Sequence, residues 1–136
     1  MRLAFAFLAD AAQSTPDGKL WVLGGDFEDL FVPEFPAMHG ALALVVRLRV
    51  PPLECGQPHR LRVEFVDSDG KKADPQLALE FRAELAPGHP TRDVGAGFVL
   101  NFQQIRYERP GDYAFHIFVD DLESGIVPLY VRQSST

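Results

Sequence analysis

ERPGDYAFHIFVDDLESGIVPLYV, residues 108–131, carries one histidine, two adjacent aspartates and a glutamate within a dozen positions. Such a cluster could hold a metal or move protons. Its spacing points instead to a hairpin. Tyr113, Phe115, Ile117 and Val119 alternate with Ala114, His116 and Phe118, so the first four share one face of a strand. Asp120, Asp121 and Glu123 fall in DDLESG, a tight turn in which Asp and Ser bond their own backbone. IVPLYV returns as the next strand. Pro128 cannot donate to a ladder, so that strand is an edge, or bulged there. His116 has no second histidine at a pairing distance, and no metal is expected.

The same period runs outward through most of the chain. Leu3, Phe5 and Phe7 alternate with Ala4, Ala6 and Leu8 in a first strand. STPDGK at 14–19 is a turn, LWVLGG at 20–25 a second strand, and FEDLFV at 27–32 a short third. ALALVVRLRV at 41–50 and HRLRVEFVD at 59–67 place Val46, Leu48, Val50, Leu61, Val63 and Phe65 inward. LALEFRAEL at 77–85 follows the DSDGKK turn. FVLNFQQIRY at 98–107 shifts parity between Phe102 and Ile105, which predicts a bulge near Gln103 and Gln104. No window repeats at helical spacing.

Eight or nine short strands separated by Pro/Gly turns predict an all-β, antiparallel, immunoglobulin-like β-sandwich. Tyr113 stands where such sandwiches keep a tyrosine corner, its ring inward and its hydroxyl on upstream backbone. One domain is expected over residues 1–132, followed by a polar tail at 133–136. The length of 136 residues is enough for one real core.

Composition narrows the function classes. The net charge of -6 disfavours a nucleic-acid partner. Cys55 is the single cysteine, so no intrachain disulfide or cysteine-based zinc site forms, and a reducing cytoplasm fits. MRLAFAFLADAA has Arg2, a short apolar run and small residues, but Asp10 interrupts it, and it does not read as a signal peptide. No run of 18 apolar residues exists, so no membrane span is expected. Cofactors are not expected either. Cys55 and His59 are close in sequence, yet a plain loop cysteine is the simpler reading. DSDG at 67–70 begins like a calcium loop and lacks its later ligands. Calcium at the loop ends would need Asp67, Asp69, Asp120 and Asp121 to converge.

Two surface features stand out. If strands 41–50 and 59–66 form a hairpin, Arg47 opposes Arg62 and Arg49 opposes Arg60 on one outward face, a basic patch about 10 Å across. It would suit a carboxylate or phosphate. Compensation by Glu64, Glu80 and Glu84 is the plainer outcome. The second feature is apolar. LAFAFLA and LWVL have no outward charges, so they are covered on both faces, by the chain's own loops or by another subunit. Trp21 and Phe118 are the large residues expected near such a contact.

LADAAQSTPDGKLWVLGG and RPGDYAFHIFVDDLESGIVPLYV resemble the ends of a family of small uncharacterised bacterial proteins, with a DGK turn, a PG-x-Y strand and a VPL strand. In that family a glycine commonly follows Val-Asp in the last hairpin, and Asp121 stands there instead. The resemblance implies a bacterial single domain and assigns no catalytic residue. The sequence thus predicts a non-catalytic interaction or structural module, a homodimer or a binder of another protein. Its rival is a ligand-binding sandwich that takes an anion or calcium.

Overall fold

The computed structural model describes residues 1–135; Thr136, the end of the expected polar tail, lies outside the described residues. Alternation produces strands almost throughout. They are β1 (Arg2–Ser14), β2 (Leu20–Phe27), β3 (Asp29–Val32), β4 (Ala37–Val50), β5 (His59–Val66), β6 (Lys72–Phe81), β7 (Val94–Tyr107), β8 (Gly111–Val119) and β9 (Leu122–Gln133). A 3-10 turn covers Pro52–Glu54. Among the described residues no helix is long and apolar enough to cross a membrane.

The strands form a four-stranded sheet, β2-β1-β4-β7, and a five-stranded sheet, β3-β9-β8-β5-β6. Pairing is antiparallel except between β3 and β9. The inward faces of both sheets meet in one core. Val46, Leu48 and Leu44 enter it from β4; Leu61, Val63 and Phe65 from β5; Phe115, Ile117 and Val119 from β8. At its centre the Phe65 ring lies 4.6 Å from Phe115 and 5.4 Å from Tyr113, centroid to centroid. Such aromatic pairs add to the area they bury. The Tyr113 hydroxyl donates to the Arg109 carbonyl at 2.7 Å, tying the β7–β8 corner to the strand it opens.

Three local corrections to the sequence reading have physical causes. Leu3, Phe5 and Phe7 do not share a face. The register slips at Ala4, so Leu3 turns inward against Gly125 while Phe5 and Phe7 stack outward at 5.9 Å. The parity change in β7 causes no slip of register. Gly40 of β4 and Gln104 of β7 (φ 58°) sit between the pairs His39↔Ile105 and Ala41↔Gln103, so both strands change face together. The tail is held further than residue 132. Gln133 still belongs to β9, and the Ser134 N–H donates to the Val32 carbonyl at 2.8 Å. Pro128 falls where it costs nothing: β3 covers β9 only from Tyr130 onward.

The β8–β9 turn has a defined type. Val119 pairs with Leu122, leaving Asp120 (φ 50°) and Asp121 (φ 66°) as the two loop residues. Positive φ at both is the type I′ turn, which matches strand twist and favours glycine at its second position. Asp121 is exposed, and among the described residues its one charge partner is Arg62 at 3.7 Å. Asp121→Gly should therefore raise stability by about 0.5–1 kcal/mol, read as a higher urea midpoint with an unchanged slope.

Candidate functional site

The four arginines separate. Val50 to His59 is not a hairpin connection: residues 51–58 cross from one sheet to the other. Arg47 and Arg49 pair with Gly97 and Gly95 of β7; Arg60 and Arg62 pair with Glu80 and Ala78 of β6. Parity put Val46 and Val63 toward one core correctly, but parity is identical for neighbours in a sheet and for strands facing across the core. The two pairs thus occupy outer faces on opposite sides of the molecule.

Arg62 is fully engaged. It bonds Glu64, lies 3.7 Å from Asp121, and sits over the Phe118 ring at 4.0 Å. Glu64 also holds Lys72 at 3.0 Å, and these cations keep its carboxyl below the usual range. Phe118 is therefore capped by a guanidinium, and it shares no surface with Trp21, which belongs to the other sheet. His116 Nδ1 lies 2.7 Å from Glu123 on the same charged face.

The acids do not converge. Asp67 accepts the Asp69 and Lys71 N–H groups at 3.0 Å, closing the β5–β6 turn, and Arg109 reaches Asp69 at 2.5 Å. Asp120 lies at the other end of β5, accepting the Arg60 N–H at 2.9 Å. Among the described residues no three His, Cys, Asp or Glu side chains gather to hold a metal. Cys55 points its thiol toward the Pro51 carbonyl at 3.6 Å, and His59 turns elsewhere.

Sequence reading weighed His59 only against Cys55 and missed its partner, Asp120. His59 is 7% exposed. Its Nδ1 lies 2.7 Å from an Asp120 oxygen and its Nε2 2.7 Å from the Glu54 carbonyl. Both partners accept, so the doubly protonated ring satisfies both bonds. The Glu54 carbonyl, and then Asp120, raise the His59 pKa. Burial would raise the Asp120 carboxyl, but the Arg60 N–H and the His59 ring outweigh it and hold it low. The Met1 ammonium meets Glu54 at 2.6 Å, so β1, the 51–58 crossing, β5 and the last hairpin are fastened at one end. No spacing rule links positions 59 and 120. His39 is the converse case: burial lowers its pKa, and its Nδ1 lies 3.0 Å from the hydroxyl of the fully buried Tyr107.

The four-stranded sheet has a different outer face. Phe5, Phe7, Val45 and Val99 point outward, yet Val45 is only 2% exposed. Its cover is the β1–β2 hairpin. At Ala9 the strand leaves β4, and opposite Asp10 the chain turns at Gly24 (φ 63°) and Asp26 (φ 59°). A Cβ at Gly24 would meet the Asp10 carboxylate, which would have to move aside, and the positive φ there also favours glycine. Ser14 to Leu20 then return to the level of Arg47, Gly95 and Gly97. The turn roofs a cleft of about 330 Å³ walled by Phe5, Leu20, Val45 and Val99, with Arg47 at one side and Lys19 at the rim. On the far side of the hairpin Trp21 is 65% and Leu23 72% exposed. Among the described residues β2 is an edge, with no strand partner beyond β1.

A family model described as a family of unknown function, DUF6941, matches residues 4–132, from β1 to the end of β9. The chain belongs to that family. No curated protein matches it. The DUF6941 match covers both the charged face and the covered one, in keeping with the resemblance to an uncharacterised family.

In this DUF6941 chain, His59 and Asp120 give two predictions of definite sign. A raised histidine pKa contributes stability that is complete below the unfolded value of about 6.5 and is lost as pH rises through the folded one. A lowered Asp120 pKa contributes above the unfolded carboxyl value and is lost in acid. His39 acts oppositely to His59, so the diagnostic is a difference. The gap in unfolding free energy between wild type and His59→Gln should narrow from pH 5 to pH 9. Asp120→Gly should cost about 2 kcal/mol at neutral pH, opposite in sign to the same change one residue later.

Proposed function

We propose that this protein is a non-catalytic interaction module, an immunoglobulin-like sandwich that pairs with a second copy through β2. One observation carries the reading. Leu20–Gly25 is an uncharged strand at a sheet edge, with Trp21 and Leu23 in water. Natural edges are usually blunted by charge, proline or cover, and an edge left open takes another strand. Two copies related by a two-fold axis can pair antiparallel about Val22. That register sets Trp21 of each copy opposite Leu23 of the other, a cross-strand aromatic–aliphatic pair made twice.

Strand order supports the immunoglobulin-like part. β1-β4-β7 follows the A-B-E order of such domains and β9-β8-β5-β6 the G-F-C-C′ order. Tyr113 makes the corner bond at the start of the F-like strand, two residues before Phe115. The histidines with close side-chain partners, His39, His59 and His116, are held by Tyr107, Asp120 and Glu123, which suits structural roles better than proton transfer. The lone thiol of Cys55 fits a reducing cytoplasm, and the resemblance in its end motifs fits a bacterial one. Partners of another sequence would use the same edge.

Trp21 is the only tryptophan, so its fluorescence reports on this edge directly. Light scattering should give twice the chain mass of 15.1 kDa at high concentration. Dilution should lower the mass and shift the emission to the red together. Trp21→Lys should yield a monomer whose unfolding free energy is within about 0.5 kcal/mol of wild type's. A monomer at every concentration, with emission unchanged by dilution, contradicts the reading.

A further inference from the structure

Arg47 is a cation without a countercharge. Like Arg49, Arg60, Arg82 and Arg92, it has no carboxylate within ion-pairing distance among the described residues, whereas Arg2, Arg62, Arg106, Arg109 and Arg132 each have at least one. Its guanidinium lies against Gly95, where a Cβ would collide with it, and beside Gly97. Two glycines at alternate positions of β7 thus make room for the group on the sheet face. The cleft under the hairpin opens beside it. Among the described residues no Asp or Glu lines that cleft; Lys19, at its rim, is paired with Asp17 at 3.7 Å, which leaves Arg47 as the unpaired cation, and Phe5, Leu20, Val45 and Val99 supply apolar walls. The neighbouring cleft that shares Arg47 and Gly95 is lined by Glu84 and Asp93 as well as by Arg49 and Arg92, and Asp93 pairs with Arg2 at 3.7 Å.

We propose that the cleft beneath the β1–β2 hairpin binds a small carboxylate with an apolar body, its carboxylate on Arg47 and its body between Phe5, Leu20, Val45 and Val99. A partly buried guanidinium gains most from a planar anion that can take two of its N–H groups. A cleft of about 330 Å³ is at the small end of ligand sites, room for a medium-chain or single-ring acid and not for a dinucleotide. The two-sided character excludes a bare inorganic anion as the preferred occupant, because the walls opposite the cation offer it nothing. This site goes beyond the pairing of β2 and stands whether or not two copies associate.

The test is an NMR titration of the full chain with octanoate. Binding should move the Arg47 Nε–H and the Leu20, Gly95 and Gly97 amides along one saturable curve. Neutral 1-octanol and inorganic phosphate should each bind about tenfold or more weakly. Arg47→Met should weaken octanoate about tenfold. Gly95→Ala, which keeps the charge but displaces the guanidinium, should weaken it too and serves if Arg47→Met fails to fold. The assignment is overturned if no saturable shift develops up to about 10 mM octanoate. It is equally overturned if the Arg47 Nε–H stays still while other signals move, if phosphate matches octanoate, or if Gly95→Ala binds as wild type does.

Discussion

Val45 points away from the core of its sandwich and is still almost fully buried. That one fact organises the molecule. β4 is apolar on both faces from Leu42 to Val46, and a sheet face bearing Phe5, Phe7, Val45 and Val99 is costly to leave in water. The chain covers it with its own β1–β2 hairpin, bent back at Gly24. The cover is made of short turn residues and half-exposed aliphatics, so it leaves a cleft rather than a closed second core. It also turns its other side outward, which is how Trp21 and Leu23 come to be in solvent. The binding cleft and the open edge are two consequences of one bend.

The opposite face is governed by charge. Arg62, Glu64, Lys72, Asp121, His116 and Glu123 are paired side by side on the five-stranded sheet. Surface pairs of this kind add little stability each, but they keep that face polar. The stronger polar structure lies at the end of the sandwich, where His59, shielded from water, bridges the Glu54 carbonyl and Asp120. Protein contacts are therefore expected from one side of the molecule, and stability near neutral pH from its end.

Much of the fold was legible because alternation is a local property. Tyr113, Phe115, Ile117 and Val119 do face inward and Tyr113 is bonded upstream, but LWVL is not covered on both faces as expected: Leu20, Trp21, Val22 and Leu23 are all exposed. Pairing was not legible. Residues 51–58 can close a hairpin or cross the core, and alternation looks the same either way, which is why the four arginines seemed to share a patch. A glycine pair at 24–25 reads as the end of a strand; that Gly24 redirects the hairpin depends on Asp10 lying opposite it. The His59–Asp120 bond joins residues whose proximity exists only once β5 and β8 are paired. Arg47 was singled out for a neighbour it does not have. What sets it apart is the glycine pair of β7 that seats its guanidinium beside a cleft, and only the fold reveals that.

The position of the hairpin can be measured directly. A straight continuation of β1 would carry Ser14 about 30 Å beyond Phe5, at roughly 3.3 Å per residue, and the turn with it. A nitroxide on Asp17→Cys, in a Cys55→Ser background, reports which is true through paramagnetic broadening. The bend predicts strong broadening of the Gly95 and Gly97 amides, across the sheet from the label in sequence but under it in space. Sharp signals at both positions, with broadening confined to residues of the hairpin itself, would contradict the account.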